Sequence, residues 1–208
     1  MLSLFFDTFI VLFVVVDPIG LAPIFAAITQ GGTPEYRRRM ALRGMFIAAI
    51  ILIAFVLGGA ALLRLLGIGM PAFQIAGGLL LFLVALDMVF VRQSGIRSTT
   101  EREQREAERK ADISVFPLAF PLIAGPGALT TVLLMAGKHA QRPAGTATVL
   151  VVVLVVLMLA LFALFQATRI MRLMGETGAN VVTRLLGVVL TALAVQYVLD
   201  GLQAAFKL

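Results

Sequence analysis

A carboxylate within an apolar run is unusual chemistry, and this sequence has one in Val16-Asp17-Pro18-Ile19-Gly20-Leu21-Ala22-Pro23. Asp is a favoured helix N-cap residue and Pro a favoured first helical residue, so Asp17-Pro18 reads as the start of a half-helix. A second run, Phe116-Pro117 and then Pro121-Leu122-Ile123-Ala124-Gly125-Pro126-Gly127-Ala128-Leu129-Thr130-Thr131, carries similar punctuation, with Gly125-Pro126 as its restart. A half-helix N-terminus offers free N–H groups and a positive dipole end, which suits a carboxylate. Asp17 adds the opposite sign, able to face an ammonium group or to carry a coupling cation. Such a pairing suits a small zwitterionic amino acid better than an anion or a sugar.

The candidate substrate-binding residues are thus Asp17, Pro18, Gly20 and Pro23 from the first run and Gly125, Pro126, Gly127, Thr130 and Thr131 from the second. Asp87 and Gln196, polar residues in two other apolar runs, complete the set. A plainer reading has the prolines merely kinking helices, with Gln74, Gln196, Thr130 and Thr131 as interhelical glue. Asp87 stands near the end of its run, within reach of headgroups, and Asp200 reads as interfacial. No catalytic residue and no metal ligand is assigned. Cys is absent, and the single His139, beside Lys138, reads as a solvated loop residue. No GxxxxGK[ST] motif is present, so no nucleotide cofactor is expected; a proton or a sodium ion is the candidate coupling ion.

The elements that hold these residues are set by composition. The chain has 208 residues, 61% apolar and 13% charged, about half the charge of a soluble domain. Six apolar segments, each about long enough to span a hydrocarbon core as helix, lie near Phe5–Ile28, Ala41–Leu63, Met70–Val91, Ile113–Ala136, Thr146–Thr168 and Val181–Ala205. Strands would alternate in character, which Val149–Ala160 does not. The expected fold is an all-α polytopic membrane protein in one transmembrane domain, with helices 1 and 4 broken near the bilayer midplane. The net charge of +6 does not point to nucleic acid, because the Lys and Arg residues flank the apolar runs. The one long polar connection, 92–112, reads as a cytoplasmic loop whose second half forms a solvated helix, with Thr100 and Glu103 as a capping box.

Under six spans, four Lys and Arg residues fall on one side and thirteen on the other. The richer side is expected in the cytoplasm, leaving both termini outside. The same split arises from four spans with segments one and four as re-entrant hairpins, which would place both termini inside. The first span carries no signal-peptide features and is read as retained.

The two breaks recur at an offset of 108, Pro18 against Pro126. Gly77-Gly78-Leu79-Leu80-Leu81 resembles Leu186-Gly187-Val188-Val189-Leu190 at an offset of 109, placing Asp87 opposite Gln196. Two repeats, 1–91 and 113–208, each of three spans, must be inverted in the membrane because three is odd. Inverted repeats with broken helices meeting at the midplane are a transporter design.

The stretches VVDPIGLAPIFAAIT, FPLAFPLIAGPGALTTVLL, GGLLLFLVALDMV and GVVLTALAVQYVLDGL resemble the MarC family of bacterial and archaeal inner-membrane proteins, over essentially the whole chain. The resemblance implies six helices with external termini and the transport, including export, of small neutral amino acids. It also implies that Asn is accepted where this chain has Asp17. The competing function is a non-transporting scaffold or regulatory subunit of the membrane. A membrane oxidoreductase is disfavoured because electron-relaying folds of this kind use paired cysteines. A homo-oligomer is compatible with either function.

Overall fold

A computed structural model describes residues 2–90, 112–138 and 143–206. The helix expected within 92–112 falls, apart from Asp112, outside the described residues, as does His139. The described chain is helical: α1 Leu2–Val16, α2 Pro18–Ile28, α3 Pro34–Leu65, α4 Met70–Phe90, an irregular α5 Ser114–Ile123, α6 Pro126–Lys138, α7 Pro143–Phe165 and α8 Ala167–Phe206. Five helical stretches are long and apolar enough to cross a membrane, and the bent α5–α6 pair makes a sixth if it counts as one span.

α7 shows what solvent these helices are built for. Val149, Val152, Val153, Val156, Leu157 and Ala160 recur at helical spacing and are buried. The opposite face is equally apolar but exposed, with Val151, Leu154, Met158 and Phe162 between 50% and 66% accessible. A helix that is apolar all round with half its surface uncovered belongs in lipid.

α1 touches α6, α7 and α8, while α3 packs on α5, α6 and α7. α4 and α8 run against each other closely because glycines remove the side chains between them. A Cβ on Gly78 would sit 2.8 Å from the Ala194 carbonyl oxygen, one on Gly187 2.8 Å from Met88 Cβ, and one on Gly201 2.7 Å from Ile75. Contacts that climb α4 as they descend α8 make the pair antiparallel. Small residues allow this approach, and dispersion between the backbones holds it in lipid, where hydrophobic driving force is lacking.

The breaks differ from expectation in two ways. The first is an interruption of one residue rather than a broken helix. Asp17 N–H donates to the Phe13 carbonyl, closing α1, and Leu21 N–H to the Asp17 carbonyl, opening α2, and the two run on as one span, Leu2–Ile28. The second is more severe, because α5 is irregular along its length and meets α6 at a 57° bend. Phe116 and Phe120 are extended, each ahead of a proline with a cis peptide bond. A proline's ring disfavours helical backbone in the residue before it, and here that happens twice within five residues. The sixth segment agrees with expectation, spanning Thr177–Phe206; the part of α8 before it is set off at Gly175, whose φ of 64° takes the chain out of the helix.

Candidate functional site

Asp17 is completely buried and adopts the left-handed conformation, φ 46° and ψ 71°. L-residues rarely accept this backbone, and Asp is among the few that do, because its short side chain can bond locally. Asp17 does so. Its Oδ1 accepts the Gly20 N–H at 3.0 Å, which caps α2 as its sequence anticipates. Its Oδ2 accepts the Thr183 hydroxyl at 2.9 Å, from α8. Pro18, with no N–H to satisfy, occupies the first helical position and is buried.

Gly20 is required by this arrangement. A Cβ there would collide with Asp17 Oδ2 and lie 2.6 Å from Thr183 Oγ1. The N-terminus of α2 is therefore already occupied by the chain's own carboxylate. Of the two expected half-helix termini, the one at α2 is satisfied internally.

At the second break, Gly125 is buried, and a Cβ on it would overlap the Pro121 carbonyl oxygen. Pro126 opens α6 and Leu129 N–H bonds back to the Gly125 carbonyl at 3.0 Å. Gly127 meets the end of α1: a Cβ on it would stand 3.1 Å from Val15 Cγ1 and 3.2 Å from Leu81 of α4. The two breaks thus approach through Val15 and Gly127. A cavity of about 10 Å³ lies at the second break, lined by Pro121, Gly125 and Gly127 with Val15 and Val84, which is room for about one water.

The remaining candidates divide. Thr130 and Thr131 are buried on α6; Thr131 Oγ1 donates to the Gly127 carbonyl at 2.9 Å, and the Thr130 methyl fills the space left by Gly77. Pro23 is half-buried within α2. Asp87 is half-buried near the end of α4. Gln196 is exposed on α8 and donates to Asp200 at 2.6 Å, which separates it from the break residues.

Three features lie outside the expected set. Thr183 completes the Asp17 site from 166 residues away, and no local pattern marks it. Thr8 Oγ1 and Gln74 Nε2 are buried within spans with no hydrogen-bond partner among the described residues. Arg37 and Arg38, which the sequence presents only as flanking charges, line a cavity of about 550 Å³ at the junction of α2, α3, α7 and α8.

Apolar helices of spanning length, one interrupted at a buried carboxylate and another bent at a proline-rich break, define a multi-pass helical membrane protein. The chain belongs to the MarC family: it matches the MarC family integral membrane protein over residues 2–206. It is similar to UPF0056 membrane protein YvbG of Bacillus subtilis, 35% identical over 206 residues, covering 99% of this chain and 97% of the relative. A UPF0056 membrane protein of Archaeoglobus fulgidus is 37% identical over 206 residues, with 97% and 93% covered. One from Aquifex aeolicus is 34% identical over 207 residues, with 98% and 94% covered. These names place the relatives in a membrane, in bacteria and archaea alike, and specify no activity. No solved structure matches the chain.

Proposed function

We propose that this chain is a secondary transporter of small neutral amino acids, with export as one working direction, seated in the cell's inner membrane. The observation that carries the reading is Asp17: a fully buried carboxylate within a span, at a helix interruption, with both oxygens engaged by Gly20 and Thr183. An ionised group inside a membrane span costs at least about 2.5 kcal/mol on insertion scales, and a chain that keeps one has a use for it.

In this reading the substrate ammonium, or a coupling proton or sodium ion, engages Asp17. The substrate carboxylate takes the backbone N–H groups of Gly127 and Ala128, which follow Pro126 at the start of α6. Binding requires the second break to open, because about 10 Å³ beside it is far too small for an amino acid. The described state is therefore closed, as alternating access demands at one point of its cycle.

The inverted repeat belongs to the same proposal. The offset of 109 that relates the third and sixth segments exchanges two observed contacts: Gly78 beside Val198, and Gly187 beside Val89. A two-fold axis in the membrane plane would produce this exchange. With both repeats spanning three times, the two termini lie outside the cytoplasm.

The scaffold reading draws on the same hydrogen bonds, since a carboxylate with both oxygens engaged can serve as a cap alone. Counter-flow of labelled amino acids in proteoliposomes separates the two. Accelerated exchange of alanine, glycine or serine, competed by one another, supports transport. Exchange no faster than in protein-free vesicles across a panel of amino acids would leave the scaffold.

A further inference from the structure

The cavity at the α2–α3 turn has no acidic lining among the described residues. Its charged walls are Arg37 and Arg38, and its apolar walls include Phe25 and Leu164. Glu35 belongs to the same first turn of α3 but does not line it. Neither arginine takes part in an ion pair among the described residues. Arg37 Nε is buried and donates to no acceptor among them. Arg37 is half-buried and Arg38 exposed on the same wall, so an anion entering the cavity would meet one donor already withdrawn from water and a second cation beside it.

The polar groups also indicate the ligand's sign. Thr29 lines the cavity, but its hydroxyl donates back to the Phe25 carbonyl at 2.6 Å, leaving its oxygen only as an acceptor. Donation toward a ligand then comes from the arginines, with the exposed Thr168 hydroxyl as a further donor on the wall. The start of α3, with Thr33 as its cap and Pro34 on the cavity wall, adds the positive end of a 32-residue helix. Planar guanidinium groups match the oxygens of a phosphate group in pairs. Volume and lining then choose between phosphates. About 550 Å³ with Phe25 and Leu164 in the wall exceeds what an inorganic anion needs and offers apolar surface it would not use.

We propose that this cavity binds an anionic phospholipid, its headgroup phosphate held by Arg37 and Arg38 and the start of an acyl chain lying on Phe25 and Leu164. This goes beyond the loose attraction of flanking charges to a membrane surface, since it assigns one lipid to one site. It does not depend on transport. The lipid would bridge α2, α3 and the α7–α8 junction, at the turn that follows the Asp17 span.

The test uses the full chain, purified in detergent and stripped of lipid, with thermal unfolding followed by circular dichroism. Phosphatidylglycerol, phosphatidylcholine and inorganic phosphate are titrated in separate arms. The melting temperature should rise with phosphatidylglycerol at concentrations where phosphatidylcholine and phosphate have little effect. In Arg37→Gln/Arg38→Gln the apparent affinity should fall by about tenfold or more, as expected on losing charge-assisted bonds. Ala26→Phe, which fills the cavity and keeps both arginines, should also abolish the rise, and serves alone if the double variant does not fold. An equal response to phosphatidylcholine, or an undiminished one in a folded variant, overturns the site. An equal response to inorganic phosphate overturns its assignment to lipid.

Discussion

Thr183 Oγ1 donates to Asp17 Oδ2 at 2.9 Å, tying the interruption in the first span to the last helix across 166 residues. This bond fixes one carboxylate oxygen while Gly20 fixes the other, and the two can be removed separately.

Thr183→Val removes the hydroxyl with little change of shape. It leaves a buried carboxylate oxygen without that donor, and stability should fall by about 1–3 kcal/mol. Thermal unfolding in detergent would register this, with Thr183→Ser near wild type. A Val variant as stable as wild type would show the bond to be dispensable.

Asp17→Asn preserves a side chain that can cap α2 and tolerate left-handed backbone. Its membrane abundance should match wild type, while any ion or pH dependence of counter-flow changes. Asp17→Leu loses the cap and the charge together and should be inactive. Transport at the wild-type rate by Asp17→Leu, at equal abundance, would remove Asp17 from the site.

Gly78→Ala and Gly58→Ala make a matched pair. A Cβ on Gly78 meets backbone, 2.8 Å from the Ala194 carbonyl oxygen and 3.0 Å from Val198 N, neither of which can swing aside. Overpacking there should lower stability by about 1–3 kcal/mol. Nothing lies within 4 Å of a Cβ on Gly58. That exchange should be neutral or stabilising by up to about 1 kcal/mol, since Ala is the better helix former. Similar unfolding temperatures for the two variants would contradict the close α4–α8 contact.

Asp112 joins the start of α5 to α3. Its carboxylate accepts from the Ser114 hydroxyl and N–H, and pairs with Arg43 at 2.7 Å. The Ser114 hydrogen bonds, followed by Arg43 and Arg39, hold its carboxyl below the usual carboxylate range despite some burial. A group held more acidic in the folded state contributes stability above its unfolded pKa, near 4, and loses it as pH falls through the lower folded value. The two side chains are about half exposed, so solvent screening limits the ion pair to under about 1 kcal/mol. Wild type and Asp112→Asn should differ in unfolding temperature at pH 6 and converge below about pH 4. A constant difference across that range would exclude the linkage.

Reporters at Met1 and Leu208 should both lie outside the cytoplasm, with one at Arg102 inside. Cytoplasmic placement of both termini would instead favour re-entrant segments and dissolve the inverted repeat.

Membrane residence, the helical class and the locations of the two interruptions were legible in the residues themselves, because each has a local cause. Apolar length dictates what can span lipid, and Asp-Pro or Gly-Pro dictates where a helix restarts. Asp17 as a cap to Gly20 was legible for the same reason, the two being three residues apart. The severity of each break was not. Whether the chain bends depends on which neighbours can satisfy the released backbone: the Asp17 carboxylate caps α2 and the first span runs on, whereas two prolines four residues apart make α5 irregular. Thr183 and the paired arginines were illegible as site residues because their roles arise from contacts between segments far apart in the chain. One hydroxyl in an apolar helix or two arginines after a turn look alike in any such sequence. Only the tertiary packing decided that the hydroxyl meets a buried carboxylate and that the arginines close on a cavity.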